Sequence, residues 1–471
     1  MNQKKQVAKY VLSDYLTALL AWFLFYVFRR IEIDLVAVRD VQMFVPMYDA
    51  RLTMLLVPFF WLCLYYVSGY YNSPFFKSRL AEFFTTLTSV FLGSLVVFFG
   101  VLMDDAVASY TFYYVSFSVY FILHFTLTYA VRLTITTHSA HQIHTRKIGL
   151  KTLVLGMGDK AAKLDNQLAS MKQSLGYMVV GFVALQKNET RKVEQTRVLG
   201  SIVDINNLLN KHNVDVVIIA VDDMKEDEVY QLIQSLWSKN IQIKIVPSLF
   251  EILIGSAKIK SIYAVPLIDL LEVQMSDVEQ NLKRIVDVVV AVVMLLIGLP
   301  FFAFFALRIK LDSAGSIIYK QQRIGLHGEP FMMYKFRTMY EDAEQDGVPQ
   351  LSSKNDDRIT PFGRFMRKYR FDELPQFYNV LKGDMSLIGP RPERSYFVEQ
   401  IVQVAPYYYR LFNVRPGITS WGMVKFGYAN TVEKMVERAH FDISYIENMS
   451  LLIDGKILIY TIKTIVTGRG I

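Results

Sequence analysis

The sequence predicts a multi-domain membrane protein: a four-helix transmembrane domain at the N-terminus, a parallel α/β domain in the middle and a mixed α/β domain at the C-terminus. Three observations support this fold class. Hydrophobic residues make up 52% of the 471 residues and aromatic residues 14%, which is high for a soluble protein. Four long apolar runs occupy the first 140 residues. Strand-like and helix-like segments then alternate, and a fifth apolar run precedes the C-terminal region.

Each of the four N-terminal runs is long enough to span a bilayer as a helix. The runs are Tyr10–Phe28, Leu52–Tyr71, Leu80–Met103 and Tyr110–Ile135. No small-residue cleavage site follows the first run, so we expect it to be retained as an anchor. The predicted transmembrane domain covers residues 1–140.

Lys and Arg residues predict the orientation, because cytoplasmic loops carry an excess of them. The N-terminus, the loop around Lys77 and Arg79 and the segment after residue 135 are basic, whereas residues 103–109 contain two Asp and no Lys or Arg. Residues 29–51 do not fit this pattern, since four Arg and four acidic residues lie on the predicted outer side. The balance places the N-terminus and everything after residue 135 in the cytoplasm.

The charge and the rare ligand residues exclude several classes of protein. The net charge of +8 and the pI near 9.1 fit a protein anchored to anionic lipid, and no nucleic-acid-binding motif is present. The single cysteine, Cys63, excludes an internal disulfide. His138, His141 and His144 have helical spacing, but no carboxylate or Cys lies among them, so we predict no metal site there.

Residues 146–256 are predicted to form the α/β domain. Its strands are predicted at Lys151–Leu155, Tyr177–Ala184, Val214–Val221 and Ile241–Val246, with helices near Ile202–His212 and Glu226–Trp237. Residues 257–280 are predicted to be a linker.

A glycine-rich turn follows the first of these strands. The segment 156–161 matches the G-x-G-x-x-A pattern of Rossmann-like domains, in which the backbone approaches a pyrophosphate. The acidic residue expected after the second strand is absent, because Ala184, Leu185, Gln186 and Lys187 stand there. Nucleotide binding and a structural or regulatory role both remain open, and the missing acid favours the second.

The fifth apolar run, Val288–Leu307, allows two interpretations. It contains Gly298 and Pro300 and has basic residues on both sides, including Lys283 and Arg308. A helix that crossed the bilayer would place the rest of the chain outside the cytoplasm. A hairpin bent near the proline would keep both basic ends in the cytoplasm. On these residues alone the two interpretations have equal weight.

The stretch whose residues most strongly suggest a chemical reaction is Arg370–Gln376. Asp372 and Glu373 open a predicted helix, with Pro375 in its first turn and Gly383 at its end. A helix N-terminus favours phosphate, but two carboxylates repel it unless a metal or arginines intervene. Nearby arginines are Arg364, Arg367, Arg370, Arg391 and Arg394. The pattern indicates phosphoryl chemistry with a divalent cation; the alternative is that Asp372 caps the helix and Glu373 is solvated.

Further basic residues lie on both sides of this stretch. Lys335 and Arg337 alternate with Phe336, so on a strand both cations point to one face; an edge strand kept soluble by charge is the alternative. Arg415 precedes a Pro-Gly turn and is a candidate phosphate contact. The last segment, Phe441–Ile471, fits a membrane-surface helix and a packed core helix equally well.

Several motifs resemble those of the bacterial sugar transferases, the monotopic phosphoglycosyl transferases. They are KRIVD at 283–287, QQRIG at 321–325, YKFRTM at 334–339, RFDELPQFYNVLKGDMSLIGPRP at 370–392 and RPGIT at 415–419. The resemblance covers residues 281–471. The four N-terminal helices and the α/β domain are similar to the long members of this family, which include undecaprenyl-phosphate glucose- and galactose-phosphate transferases.

The resemblance implies an enzyme that moves a sugar-1-phosphate from a UDP-sugar to undecaprenyl phosphate and releases UMP, the first membrane step of surface polysaccharide synthesis. Asp372 would be the nucleophile that forms a phosphosugar–aspartyl intermediate, and Glu373 would bind Mg²⁺. The basic positions implied to contact phosphate are Arg323, Lys335, Arg337, Arg391 and Arg415. The sequence does not identify the sugar.

The resemblance also implies a catalytic domain over residues 281–471 with a re-entrant membrane helix at about 283–308, bent at Pro300. The serine that precedes this proline in the family is Leu299 here. Because UDP-sugars are cytoplasmic and four spans return the chain to the cytoplasm, the fifth run is then expected not to cross. The expected location is the bacterial inner (cytoplasmic) membrane, in contact with membrane lipid, with the catalytic domain on the cytoplasmic face. A homodimer is expected by analogy.

Two other classes of function compete with this one. The first is a membrane scaffold or nucleotide-sensing protein without turnover, which needs neither Asp372 nor the arginines. The second is an NAD-dependent nucleotide-sugar dehydratase or epimerase. The missing acid and the absence of a Tyr-x-x-x-Lys pair within residues 151–255 weigh against it.

Overall fold

The computed structural model describes residues 3–32, 48–102, 110–185, 191–222, 241–247, 267–269, 275–341, 356–427 and 429–467, with the single positions 232, 236 and 343. The chain separates into two compact units. The first contains residues 1–150 and 170–178, and the second contains residues 151–169 and 179–471.

Four of the described helices form most of the first unit, where four apolar runs were predicted. They are α1 (Gln3–Glu32), α2 (Tyr48–Val67), α3 (Arg79–Val97, continued by a π-helical turn Phe98–Leu102) and α4 (Thr111–His144). By length and composition, α1, α3 and α4 can each span a membrane, whereas the apolar part of α2, Arg51–Val67, is shorter. The apolar helices predicted for this region are therefore confirmed.

A buried ion pair connects α1 to α4 inside this unit. Arg132 donates from Nε and Nη2 to the two carboxylate oxygens of Asp14, both at 2.8 Å. The Tyr71 hydroxyl donates to the same carboxylate at 2.8 Å, and the Arg132 guanidinium lies 3.5 Å from the centroid of the Tyr70 ring. Since Asp14 and Arg132 are fully buried, each neutralises the other's charge.

The α/β part of the second unit is built on a six-stranded sheet. Its strands are β1 (Leu150–Leu155), β2 (Tyr177–Ala184), β3 (Val198–Ser201), β4 (Val216–Ile219), β5 (Gln242–Ile245) and β6 (Ile268–Asp269). The strand order is β3-β2-β1-β4-β5-β6. The pairs β2–β3, β1–β4 and β4–β5 are parallel, and β6 is antiparallel to β5. This is the parallel α/β architecture that the alternating pattern predicted.

The described helices of this sheet domain are α5 (Asp159–Ser170) and α6 (Ile205–His212). Strand β3 was not predicted. The helix predicted near Glu226–Trp237 lies outside the described residues except for positions 232 and 236. The linker predicted at residues 257–280 is mostly outside them too; its described part includes β6 and the start of the next helix.

The C-terminal part of the second unit begins with a long apolar helix, α7 (Asp277–Asp312). Two short two-stranded sheets follow, β7 (Ile318–Ile324) with β8 (Pro330–Phe336), antiparallel, and β9 (Ser386–Ile388) with β10 (Gly417–Thr419), parallel. The remaining helices are α8 (Pro361–Lys368), α9 (Gln376–Lys382), α10 (Ser395–Val404), α11 (Trp421–Lys425), α12 (Val432–Glu447) and α13 (Leu451–Val466). This part is mixed α/β, as predicted.

The N-terminal arm of α7 packs against this C-terminal part. Lys283 donates to the Ile388 carbonyl at 3.0 Å, and Arg284 donates to the Val380 carbonyl at 2.8 Å. The Asp287 carboxylate accepts the Leu387 N–H at 3.0 Å, and Ala291 packs into a cluster with Met333, Val380 and Met385.

The C-terminal arm of α7 packs against the same part of the chain. Phe302 and Phe305 have ring centroids 5.5 and 5.9 Å from that of Phe336, and Asp312 accepts the Phe362 N–H at 3.3 Å. Between the two arms, the side chains of Leu296, Ile297, Leu299 and Phe301 are 55 to 63% exposed. Pro300 lies inside the helix, which is continuous from Asp277 to Asp312.

Candidate active site

The acidic pair lies in its own short turn just before α9. Residues Phe371–Glu373 form a 3₁₀ turn that follows Arg370, whose φ of 56° is left-handed, and α9 begins after Pro375. Asp372 and Glu373 therefore precede the predicted helix rather than opening it. Both side chains are buried, at 8% and 7% exposed, so Glu373 is not solvated.

Three cations surround the Glu373 carboxylate. Lys335 Nζ lies 3.2 Å and Arg391 Nη1 3.5 Å from Oε1, and Arg370 Nη1 lies 3.2 Å from Oε2. Burial opposes ionisation, but these three cations outweigh it and hold the pKa of Glu373 well below its usual range. Glu373 is therefore a carboxylate at neutral pH.

Asp372 has the opposite balance. Burial raises the pKa of Asp372, the negative charge of Glu373 raises it further, and Lys335 and Arg367 act against the shift. Burial also lowers the pKa of Lys335, against the attraction of Glu373. Two adjacent carboxyl groups thus have pKa values shifted in opposite directions, which is typical of groups with different chemical roles.

The predicted phosphate contacts fall into two groups. Lys335 and Arg391 lie against Glu373 of the acidic pair, and a phosphate contact for them remains a prediction. Arg323 lies one contact further away, because its Nη1 donates to Glu393 at 3.1 Å and to the Pro392 carbonyl at 3.2 Å. It therefore supports the segment that carries Arg391.

Arg337 and Arg415 hold helix ends. Arg337 Nη2 donates to the carbonyl and hydroxyl oxygens of Ser313, at 2.7 and 3.0 Å, just beyond the last turn of α7. Arg415 Nε donates to the Gly383 carbonyl at 3.0 Å, where α9 ends with a φ of 101°. This end lies about 10 Å along α9 from the acidic pair's end. A phosphate contact for either arginine remains a prediction.

Asp442, a buried residue of α12, was not among the predicted site residues. Its Oδ1 accepts the Gly422 N–H at 2.8 Å, and the carboxylate also bonds to the Arg391 backbone and the Ser420 side chain. Burial raises the pKa of Asp442 to about 6. Asp442 thus fixes the backbone of an arginine that reaches Glu373. No local sequence pattern marks it, because its partners come from other elements.

The acidic pair is suited to a Mg²⁺ ion that arrives with phosphate groups. Among the described residues, no group of three or more His, Cys, Asp and Glu side chains could hold a metal on its own. Mg²⁺ commonly binds one or two carboxylates together with substrate phosphates, and Asp372 and Glu373 are the residues that would supply the carboxylates. The three cations around Glu373 repel a bare divalent ion, so the phosphate charges are needed as well.

The glycine-rich turn has a different environment. It connects β1 to α5, and Asp222, which follows β4, accepts the N–H groups of Asp159 and Lys160 at 2.8 and 2.9 Å. These are the first amides of α5, the groups that bind a phosphate in a nucleotide site.

Comparisons with known proteins identify the family. Residues 278–468 match the family model of the bacterial sugar transferases, and residues 67–247 match that of a CoA-binding domain. The chain is 32% identical over 328 residues to a UDP-glucose:undecaprenyl-phosphate glucose-1-phosphate transferase of Xanthomonas campestris pv. campestris, covering 68% of this chain and 67% of the relative. The chain belongs to the bacterial sugar transferase family.

Two further relatives of this family extend the comparison. A UDP-N-acetylgalactosamine-undecaprenyl-phosphate N-acetylgalactosaminephosphotransferase of Aeromonas hydrophila is 40% identical over 231 residues, covering 49% of this chain and 54% of that protein. An undecaprenyl-phosphate galactose phosphotransferase of Salmonella typhimurium is 28% identical over 465 residues, covering 92% and 91%. The chain spans about half the length of several of the curated relatives that it matches.

The CoA-binding match implies a ligand with phosphate groups in the α/β domain. The residues of the glycine-rich turn do not fit such a group, because the Asp222 carboxylate already binds the amides that would receive it.

Proposed function

We propose that the protein is an undecaprenyl-phosphate sugar phosphotransferase, which moves a sugar-1-phosphate from a UDP-sugar to undecaprenyl phosphate and releases UMP. The observation that carries this proposal is the buried Asp372-Glu373 pair with Lys335, Arg370 and Arg391 around it, in the region that matches the sugar transferase model. The substrates are those named for the relatives.

Asp372 is the proposed nucleophile of a two-step reaction. In the first step a carboxylate oxygen of Asp372 forms a bond to the phosphorus that carries the sugar. The bond from this phosphorus to the bridging oxygen breaks, and UMP leaves with the electron pair. In the second step an oxygen of undecaprenyl phosphate attacks the same phosphorus and releases the Asp372 carboxylate. A carboxylate suits this role when surrounding charges neutralise the phosphates.

The cations around the pair have two proposed tasks. Lys335 and Arg391 contact Glu373 without substrate, and the phosphate oxygens of a UDP-sugar are stronger partners for them. Glu373 remains ionised and, with Asp372, is the proposed ligand of Mg²⁺, which when bound neutralises phosphate charge. Asp372 must also ionise to attack, and Lys335, Arg367 and Arg370 favour its charged form.

Helix α7 is proposed to enter the membrane and return on the same side. Both of its arms contact the same C-terminal part of the chain, with Ala291 in one cluster and Phe302 packed against another, so ten residues, 292–301, lie between these contacts. About ten residues cover about 15 Å, half of the bilayer's hydrocarbon thickness of about 30 Å. A domain on one side of a membrane could not contact both ends of a spanning helix. The exposed apolar side chains of this middle stretch then face lipid, and Asp372 stays on the cytoplasmic side.

Release of UMP from a panel of UDP-sugars, with Mg²⁺ and undecaprenyl phosphate, tests the function. The native chain is expected to release UMP from one or a few donors, and Asp372→Asn is expected to release none. Asp357→Asn, which changes an exposed carboxyl group, serves as the matched control. Intact-mass measurement of the native chain with the donor alone is expected to show the added mass of the donor's sugar phosphate. Unchanged UMP release by Asp372→Asn would falsify the mechanism.

A further inference from the structure

The β1–α5 turn lies where nucleotides bind in domains of this architecture. In the order β3-β2-β1-β4-β5-β6, the chain proceeds to one side from β1 and then to the other from β4. Ligands of open α/β sheets bind outside the carboxyl ends of the strands at such a reversal point. The carboxyl ends of β1 and β4 meet here, because the two strands are parallel neighbours.

The end of β4 supplies the anion that occupies this position. Asp222 Oδ2 accepts the Asp159 N–H at 2.8 Å, and Oδ1 accepts the Lys160 N–H at 2.9 Å. The Lys160 side chain donates to the Asp222 carbonyl at 3.3 Å. Both carboxylate oxygens thus bind the positive end of α5, as two phosphate oxygens would.

The glycine of the motif accommodates this side chain. A Cβ atom on Gly158 would lie 1.9 Å from Asp222 Oδ2, so only glycine permits the contact. Lys192 N donates to the Met157 carbonyl at 2.8 Å, which brings a second segment against the turn. The space beside Gly158, where a pyrophosphate usually lies in such domains, is therefore occupied by the Asp222 side chain.

We propose that Asp222 replaces the ligand phosphate and that this turn binds neither CoA nor a dinucleotide. A phosphate at the same amides would have to displace Asp222 or lie in contact with its negative charge. The α/β domain then completes its own anion site from within the chain. This proposal does not depend on the transferase activity.

Hydrogen exchange of the full chain, read on peptides that cover Gly158–Lys163, tests the proposal. Asp222→Ala is expected to speed exchange of the Asp159 and Lys160 amides about tenfold, because it removes their acceptors. Inorganic phosphate is then expected to slow these amides in the variant and to leave them unchanged in the native chain. CoA in excess is also expected to leave the native peptides unchanged.

Two further variants make the test specific. Asp204→Ala is the matched control, because Asp204 also precedes a helix of this domain but makes no capping hydrogen bond with its side chain. It is expected to change nothing at Gly158–Lys163. Asp222→Asn keeps one acceptor oxygen, so it is expected to speed exchange less than Asp222→Ala. It also provides the test if the alanine variant does not fold. Protection of these amides in the native chain by CoA, or unchanged exchange in both Asp222 variants, would overturn the proposal.

Discussion

The buried carboxylate of Glu373 forms ion pairs with three cations, Lys335, Arg370 and Arg391. In the absence of substrate the surroundings of Glu373 are therefore net positive. A diphosphate reverses this balance when it binds, because it brings negative charge to the same cations. The metal and the nucleotide are thus expected to bind cooperatively.

We predict that the native protein binds Mn²⁺, as a substitute for Mg²⁺, weakly alone and at least tenfold more tightly with UDP, which is a coupling free energy of about 1.4 kcal/mol. The free and bound ion can be counted by electron paramagnetic resonance. Glu373→Gln is expected to lose the UDP-dependent gain. Equal affinity with and without UDP in the native protein would contradict the prediction.

The raised pKa of Asp442 predicts that the stability of the folded protein depends on pH. Its pKa is raised to about 6 in the folded protein, so between about pH 4 and 6 the folded state binds more protons than the unfolded state. Stability is therefore lost as the pH rises through this window, by roughly 3 kcal/mol for the whole shift. The positive charge of Arg438, which is paired with Glu393, acts against the shift but does not reverse it.

Asp442→Asn removes this titration and keeps an oxygen for the Gly422 N–H. The Tm of the variant in detergent, relative to that of the native protein, is expected to rise by several degrees from pH 4 to pH 7. Asp357→Asn, at an exposed site, is the control, and its Tm relative to that of the native protein is expected to stay constant from pH 4 to pH 7. A constant Tm difference for Asp442→Asn as well would show that Asp442 does not titrate in this range.

The part of the site that lies within short motifs was predictable, and the part built by distant elements was not. Lys335, Asp372 and Arg391 belong to motif blocks, and the structure brings them together. Asp222 bonds to a residue 63 positions away in the sequence. Arg337 follows the last residue of β8 and contacts Ser313 rather than the acidic pair, and no sequence pattern contains that contact.

At the scale of elements, α7 combines a long apolar sequence with contacts at both ends. Composition alone permits a membrane-spanning helix, since the helix satisfies the length and hydropathy of a span. The contacts of Lys283 and Arg284 at one arm and of Phe305 at the other favour the re-entrant interpretation, and no sequence pattern contains them. The expected result is that both ends of α7 face the cytoplasm.

Cysteine labelling tests the position of α7 directly. In a Cys63→Ser background, Val278→Cys and Lys310→Cys place a thiol at an exposed position near each end of the helix. Both are expected to react with a membrane-impermeant maleimide in inside-out vesicles and neither in intact spheroplasts. Ile297→Cys, in the middle, is expected to react only after detergent is added. Labelling of Lys310→Cys from the outside of spheroplasts would show that α7 crosses.

The sheet illustrates which elements a pattern can reveal. Strands β1, β2, β4 and β5 were predicted within two residues at each end. The clearest case is β4, which is a continuous run of buried apolar residues, as is typical of a central parallel strand. The four residues of β3 are each only partly buried, so no such run marks them. Short strands at the edge of a sheet carry a weak hydrophobic signal.

At the scale of the whole molecule, the N-terminal unit depends on a charge pair in its interior. Removing one partner of a buried pair leaves the other charge uncompensated, which typically costs about 3–5 kcal/mol. Replacing both partners by apolar residues costs much less. The stability cost of substituting Asp14 is therefore expected to depend strongly on whether Arg132 is also substituted.

We predict that Asp14→Leu and Arg132→Leu each lower the Tm of the purified protein strongly, whereas the double variant recovers much of the loss. Lys9→Gln, which changes an exposed charge on α1, is the control and is expected to have little effect. Thermal denaturation in detergent gives the Tm values. A double variant whose loss equals the sum of the two single losses would show that the pair carries no coupling energy.

The proposed return of α7 to its own side of the membrane has a consequence for the lipid around it. A body that enters one leaflet displaces lipid from that leaflet and leaves the other unchanged, so it acts as a wedge. Its insertion energy then depends on how tightly the cytoplasmic leaflet is packed. Because the two arms of α7 contact the domain that carries Asp372, we expect lipid packing in this leaflet also to affect the height of the acidic pair above the lipid, where the proposed lipid-borne phosphate meets it.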